Sequence, residues 1–154
     1  MDKPLIVILG AGLGGTLAAY EIRAAVGNRA DVMTVSDTDT YSFVPSNPWV
    51  AVRWREPEAI QIHLPPVFER KKIGFSAVGA RRLHAKEKRL ELKDGTSVNY
   101  DYLVIATGPD LAFDEIEGLG PQGHTVSICQ TAHAADAADA FDAFVANPGP
   151  IVVG

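Results

Sequence analysis

A glycine-rich turn directly after an apolar run constrains the fold of this chain more than any other feature. Leu5–Leu9 is continuously apolar with β-branched members, as expected of a strand buried on both faces of a parallel sheet. Residues 10–15 then match G-x-G-x-x-G at the start of a helix. In this setting the first glycine makes the turn, the second lets a pyrophosphate approach the backbone, and the third lets helix and strand pack closely. The sequence therefore predicts a dinucleotide site that includes Gly10, Gly12, Leu13, Gly14 and Gly15.

The residues after this turn predict a βαβ unit. Helix formers run from Leu13 to about Val26, and Gly27 and Asn28 end the helix before a second strand at Asp31–Val35. Tyr102–Ile105 repeats the apolar strand pattern and is followed by Ala-Thr-Gly at 106–108. The fold class is therefore α/β, a Rossmann-like domain with a parallel sheet.

Residues 75–98 contain three short β-like segments separated by charged turns, which indicates an inserted antiparallel β-meander. The two prolines of the loop at 37–50 disfavour helix there, whereas Pro65 and Pro66 can start a short helix at 67–72. A later helix runs to about Ala146 with Thr131 as its expected cap, and its aspartates form a solvated stripe. Residues 150–154 open another apolar run toward glycine, so we expect a strand there and a longer parent protein.

The end of the second strand carries the residues expected to hold a ribose. An acidic residue normally follows the G-x-G-x-x-G motif by about 20 positions, and Val35 lies at that distance. Either Asp37 takes this role with a one-residue offset, or the Ser36 hydroxyl and backbone groups share it. An ordinary turn is the alternative reading of this aspartate.

Composition excludes several other classes of protein. The chain has 154 residues and a formal net charge of −5, and its longest basic block has three residues, so nothing points to nucleic acid. Its single cysteine, Cys129, cannot form an internal disulfide. The histidines other than His133 show no metal-ligand spacing, so no metal site is expected.

Together these features resemble a known family. The G-x-G-x-x-G start, the meander and the strand ending in Ala-Thr-Gly look like the FAD-binding half of flavoproteins with two dinucleotide-binding domains. Within that superfamily, residues 43–50 (FVPSNPWV), 106–109 (ATGP) and 127–129 (SIC) are similar to sulfide:quinone oxidoreductases. One departure is Asp110, which stands where a basic residue is expected.

The resemblance implies FAD as cofactor, sulfide and a membrane quinone as substrates, and a catalytic role for Cys129. His133, four residues later, could add positive charge or move a proton, and the positive end of the following helix would favour a thiolate at Cys129. The alternatives are a small buried packing residue for Cys129 and an ordinary helix-surface histidine for His133. The resemblance also adds Pro45, Val78, Thr107 and Gly108 to the cofactor residues.

It further implies an FAD-binding domain at 1–112, a connection and helix at 113–148, and the first strand of a second, NAD-type domain at 149–154. Peripheral membrane association would come from a C-terminal region that follows this chain, no signal peptide is seen, and a homo-oligomer is left open. The alternatives are a type II NADH:quinone dehydrogenase, the flavin subunit of a flavocytochrome c sulfide dehydrogenase, and a non-catalytic dinucleotide-binding module.

Overall fold

The computed structural model describes residues 3–153. Its strands are β1 (Leu5–Leu9), β2 (Asp31–Val35), β3 (Thr40–Ser42), β4 (Gln61–His63), β5 (Gly74–Ser76), β6 (Ala80–His84), β7 (Arg89–Leu92), β8 (Ser97–Asn99) and β9 (Tyr102–Ile105). Its α-helices are α1 (Leu13–Val26), α2 (Asn47–Ala51), α3 (Pro65–Arg70) and α4 (Thr131–Ala146). Short 3-10 turns occupy Gly27–Arg29, Val44–Ser46, Pro57–Ile60, Ala85–Glu87 and Phe113–Glu115.

A four-stranded parallel sheet forms the centre of the first compact unit, which comprises Met1–Tyr41 and His63–Pro109. The strand order is β5-β2-β1-β9, and Ile8 of β1 lies opposite Thr34 of β2 and Val104 of β9. The antiparallel meander β6-β7-β8 is a separate sheet. The predicted α/β class, with a parallel sheet and an inserted meander, is confirmed.

Both faces of the parallel sheet are covered, which explains the unbroken apolar run in β1. On one face Ile8 packs with Ala19 of α1 and Phe68 of α3. On the other face Val7 packs with Leu90 of the meander and with Tyr100. Because side chains alternate between the faces of a strand, consecutive residues of β1 enter different halves of the core.

The predicted meander began too early in the chain. Residues 74–76 form β5, which pairs in parallel with β2 through Met33 and Gly74, and the meander begins at Ala80. Gly79 turns the chain between the two sheets with a φ of +77°, a conformation that favours glycine. Val78 therefore lies in the connection between β5 and the meander.

Two expectations about helix starts were also wrong. The loop at 37–50 contains α2, because Pro48 lies in the first helical turn, where its missing N–H is not needed. Thr131 is the first residue inside α4 and Gln130 is its N-cap, with no side-chain capping bond. The hydroxyl of Thr131 instead donates to Asn47 Oδ1 at 3.1 Å.

The second compact unit comprises Ser42–Ile62 and Asp110–Gly154. Its core contains Val50 of α2, Ile60 and Ala134 of α4. Residues 151–153 are exposed and form no strand, since a strand requires a neighbouring strand to pair with. Gly154, the end of that predicted strand, lies outside the described residues, and the predicted domain boundaries stay a prediction.

Candidate dinucleotide site and cysteine loop

A cleft of about 460 Å³ lies in the first unit, at the carboxyl ends of β1 and β2. Its walls are the glycine turn, residues 35–38 at the end of β2, part of the meander, and Thr107 after β9. In open parallel sheets, ligands bind in the crevice outside the carboxyl ends of the strands. This dinucleotide cleft therefore has the position expected of a nucleotide site.

Gly10 and Gly15 are required by the protein's own packing. Gly10 has a φ of +105°, and a Cβ at this position would collide with the carbonyl of Ala106. A Cβ at Gly15 would collide with the Gly10 carbonyl. The turn is fixed on both sides, because Gly10 N donates to Val35 O at 2.8 Å and Ala106 N donates to Leu9 O at 2.8 Å. These glycines let α1 start directly against the sheet.

Gly12 differs because no atom of residues 3–153 lies near its hypothetical Cβ. It is the N-cap of α1, it has an ordinary negative φ of −70°, and a Cβ there would meet none of those atoms within 4 Å. Gly14 is equally open. Helix N-termini present N–H groups without intrahelical partners and carry positive potential. The start of α1 thus leaves space and donors for an anionic group such as a pyrophosphate.

Ser36 and Asp37 both line the cleft but are held differently. Ser36 is buried, and its hydroxyl oxygen accepts the Thr38 N–H at a long 3.4 Å. Asp37 is exposed, and its carboxylate pairs with Lys93 Nζ at 3.2 Å. The exposed carboxylate is the more accessible group for a ribose hydroxyl.

The other predicted cofactor residues are spread more widely. Thr107 lines the cleft, and Gly108 follows it with a φ of +75°. Leu13, the first residue of α1, is exposed, as is Val78 in its connection. Pro45 lies in a 3-10 turn of the second unit, so its contact with a cofactor stays a prediction.

Sequence reasoning missed three cations near the cleft. Arg81 and Arg82 of β6 line it, and Lys93 pairs with Asp37 at its edge. Arg81 also lies 3.5 Å from Glu91, and this pair of an exposed arginine with a half-buried glutamate is of modest strength. The two consecutive arginines were visible in the sequence, but only strand pairing shows which cavity they reach.

The single cysteine belongs to a short segment before α4, residues 127–130, called here the cysteine loop. Cys129 is exposed, so the alternative of a buried packing residue is wrong. Its N–H donates to Ser127 Oγ at 3.1 Å. The carbonyl of Ile128 accepts a hydrogen bond from Asn47 Nδ2 at 2.9 Å.

His133 lies one turn into α4 but forms no hydrogen bond with Cys129 among residues 3–153. Its ring packs against Phe113, with ring centroids 5.9 Å apart. Its Nδ1 atom is buried without a hydrogen-bond partner in the described part of the chain. Catalytic roles for these two residues stay predictions.

The aspartate stripe of α4 has one specific contact. Arg53, in a left-handed conformation just after α2, bonds Asp139 at 2.5 Å and Asp142 at 2.8 Å. Hydrogen bonds to Asp139 and then Asp142 raise the pKa of Arg53 above its ordinary value. All three groups are exposed, so each bond contributes little stability.

Across residues 3–153, no group of three or more His, Cys, Asp or Glu side chains could hold a metal ion. The same residues contain no helix with the length and apolar character needed to cross a membrane.

A parallel sheet whose strand–glycine turn–helix unit opens into a cleft defines a Rossmann-type dinucleotide-binding protein. The chain belongs to the pyridine nucleotide-disulphide oxidoreductase family, whose sequence model matches residues 4–145. FAD is the cofactor of this family's fold, which confirms the expected cofactor.

Known relatives support a narrower resemblance. The chain is 33% identical to the sulfide-quinone reductase of Aquifex aeolicus over 97% of its length and 34% of the relative's. The crystal structure of that bacterium's sulfide:quinone oxidoreductase superposes with a TM-score of 0.89, again covering 97% of this chain and 34% of that one.

A mitochondrial sulfide:quinone oxidoreductase of Dictyostelium discoideum is 29% identical over 74% of this chain and 25% of the relative. The chain thus spans about a third or less of these relatives, and its resemblance to sulfide:quinone oxidoreductases is confirmed.

Proposed function

We propose that the chain is the FAD-binding part of a sulfide:quinone oxidoreductase. The observation that carries the proposal is the 33% identity to the Aquifex aeolicus enzyme over 97% of the chain, together with a TM-score of 0.89 for the same stretch. The overall reaction oxidises HS⁻ to sulfur with release of one proton and two electrons. A quinone takes up the two electrons and two protons to form the quinol.

The dinucleotide cleft would hold the adenosine diphosphate part of FAD. The space at Gly12 and the N-terminus of α1 suit the pyrophosphate, and Asp37 or Ser36 suits the ribose hydroxyls. When bound, FAD supplies a two-electron acceptor that can pass electrons on to the quinone. The protein's part here is to bind and orient the cofactor.

Cys129 is the sulfur nucleophile or sulfur carrier of this chain in the proposal. It is exposed and lies two residues before the first residue of the 16-residue helix α4. His133 is proposed as a proton carrier through its buried Nδ1. Further redox cysteines are expected outside this chain.

The substrates proposed are sulfide and a membrane quinone. Access to such a quinone requires peripheral contact with a membrane, which we propose for the intact enzyme and assign to regions other than residues 3–153. The proposal leaves a homo-oligomer open and involves no nucleic acid.

Replacement of Cys129 by serine in the intact enzyme tests this function. Cys129→Ser should keep FAD and the fold but lower sulfide-dependent quinone reduction by at least ~100-fold, the scale of losing a positioned catalytic group. The matched control is Ser97→Ala, which removes an exposed serine hydroxyl of the meander and should retain most activity. Undiminished sulfide oxidation in Cys129→Ser, or quinone reduction driven by NADH instead, would favour a type II NADH dehydrogenase.

A further inference from the structure

Asn47 is a polar side chain in a fully buried position. It is the first residue of α2 and has 0% exposure. Burial of an amide is unfavourable unless its polar atoms find partners. The Asn47 amide has two hydrogen-bond partners, one for its nitrogen and one for its oxygen, and both lie more than 80 residues away in the sequence.

These two partners lie on either side of Cys129. Asn47 Nδ2 donates to the Ile128 carbonyl at 2.9 Å, and Asn47 Oδ1 accepts the hydroxyl of Thr131 at 3.1 Å. Within the loop, Ser127 Oγ accepts the Cys129 N–H. One buried amide thus ties down the residue before Cys129 and the first residue of α4, while the thiol itself stays exposed.

Packing of α2 on α4 does not require this amide. Val50 and Ala134 already form an apolar contact between the two helices, and Arg53 bonds two aspartates of α4. The bonds of Asn47 therefore contribute mainly to the geometry of the cysteine loop.

We propose that Asn47 is a positioning residue that holds the backbone around Cys129, so that the thiol is presented in one orientation at the start of α4. The proposal rests on the proposed function, because it gives Asn47 a role in sulfur chemistry only if Cys129 takes part in it. A positioned nucleophile reacts faster because its orientation is fixed before the reaction.

A nitroxide spin label on Cys129 tests the proposal directly, because the chain has one cysteine. In the wild-type chain, electron paramagnetic resonance should show mainly a restricted component. Asn47→Ala removes both hydrogen bonds of the amide and should raise the ratio of mobile to restricted label by at least about tenfold. The matched control is Asn28→Ala, the same change at an exposed position of the first unit, which should leave the spectrum unchanged.

A second pair of variants covers the case in which Asn47→Ala does not fold. Thr131→Val removes one hydroxyl at nearly constant shape and should increase label mobility, whereas Thr131→Ser keeps the hydroxyl and should restore the wild-type spectrum. Restricted labels in both Asn47→Ala and Thr131→Val would overturn the proposal. So would a Thr131→Ser spectrum as mobile as that of Thr131→Val.

The spectra do not depend on sulfide chemistry, so this test can fail independently of the proposed function. In the intact enzyme, Asn47→Ala should lower sulfide-dependent kcat with unchanged FAD content, and Asn28→Ala should not. A mobile label with full sulfide activity would show that the orientation of Cys129 does not matter for turnover, and would overturn the positioning role. Loss of activity in Cys129→Ser remains the separate test of the function.

Discussion

In the dinucleotide cleft the geometry comes from the backbone, whereas in the cysteine loop it comes from one buried side chain. Gly10 and Gly15 allow main-chain atoms to approach each other where a Cβ would collide. The cysteine loop is instead held by Asn47, which forms hydrogen bonds with Ile128 and Thr131, both more than 80 positions later in the sequence. A backbone-built site should tolerate almost no change at its close contacts, while a loop held by a side chain should respond in graded steps.

Gly10→Ala should have the largest effect on folding. A Cβ at this position collides with the Ala106 carbonyl and the φ of +105° is strained for alanine, so the free energy of unfolding should fall by about 3 kcal/mol or more. Urea denaturation measures the loss. Gly14→Ala is the matched control, because its Cβ meets open space inside α1, and it should be neutral or stabilise by up to ~1 kcal/mol.

Gly12→Val should separate ligand binding from folding. Its side chain enters open space, so the free energy of unfolding should change by less than ~1 kcal/mol, since Gly12 is a helix cap with extended backbone. FAD affinity should fall at least ~100-fold, which equals about 2.7 kcal/mol, because the pyrophosphate loses its close approach. Isothermal titration calorimetry measures the affinity. Undiminished FAD binding would contradict the assignment of the G-x-G-x-x-G motif as the pyrophosphate site.

Replacement of Ser36 and Asp37 one at a time should reveal which group holds the ribose. Asp37→Ala should weaken FAD about fivefold, or about 1 kcal/mol, and Ser36→Ala should weaken it less, because the Ser36 hydroxyl is buried against the Thr38 N–H. Lys93→Ala serves as a control that frees the Asp37 carboxylate without removing it. An FAD affinity equal to that of the wild type in all three variants would mean that backbone groups hold the ribose.

Low pH should slightly destabilise the meander, because Glu91 becomes protonated. A hydrogen bond from His84 is the main cause that lowers the pKa of Glu91, and Arg81 adds to it. A carboxyl with a lowered pKa in the folded protein adds stability above its unfolded pKa, and this stability is lost as pH falls through the folded value. Glu91→Gln should therefore flatten the pH dependence of unfolding below about pH 4.5. An unchanged acid slope in this variant would contradict the assignment.

The difference between local backbone geometry and long-range side-chain bonds also decides what the sequence could predict. The bounds of β1, α1, β2 and β9 and the end of α4 were correct, because each depends on a local pattern of apolar residues and a local stop signal. The glycine turn is local as well. β5 was misassigned because its three residues carry no periodicity and are defined only by pairing with β2.

The cysteine loop shows where local reasoning ends. Thr131 had the residue type of a cap, and only the fold shows that its hydroxyl is engaged by Asn47 from another helix. Nothing local marks Asn47, since asparagine before proline is also a common turn residue. Long-range side-chain bonds such as these have no sequence signature, so the support of Cys129 could not be predicted.

The central claim is that this chain forms an FAD site, and the amount of flavin it binds tests that claim most directly. The purified chain is incubated with FAD, passed through gel filtration, and assayed by flavin absorbance, with a parallel sample that contains excess NAD. The account predicts close to one FAD per chain, retained in the presence of NAD and absent from Gly12→Val. A folded chain that retains no flavin, or that releases it to NAD, would contradict the account.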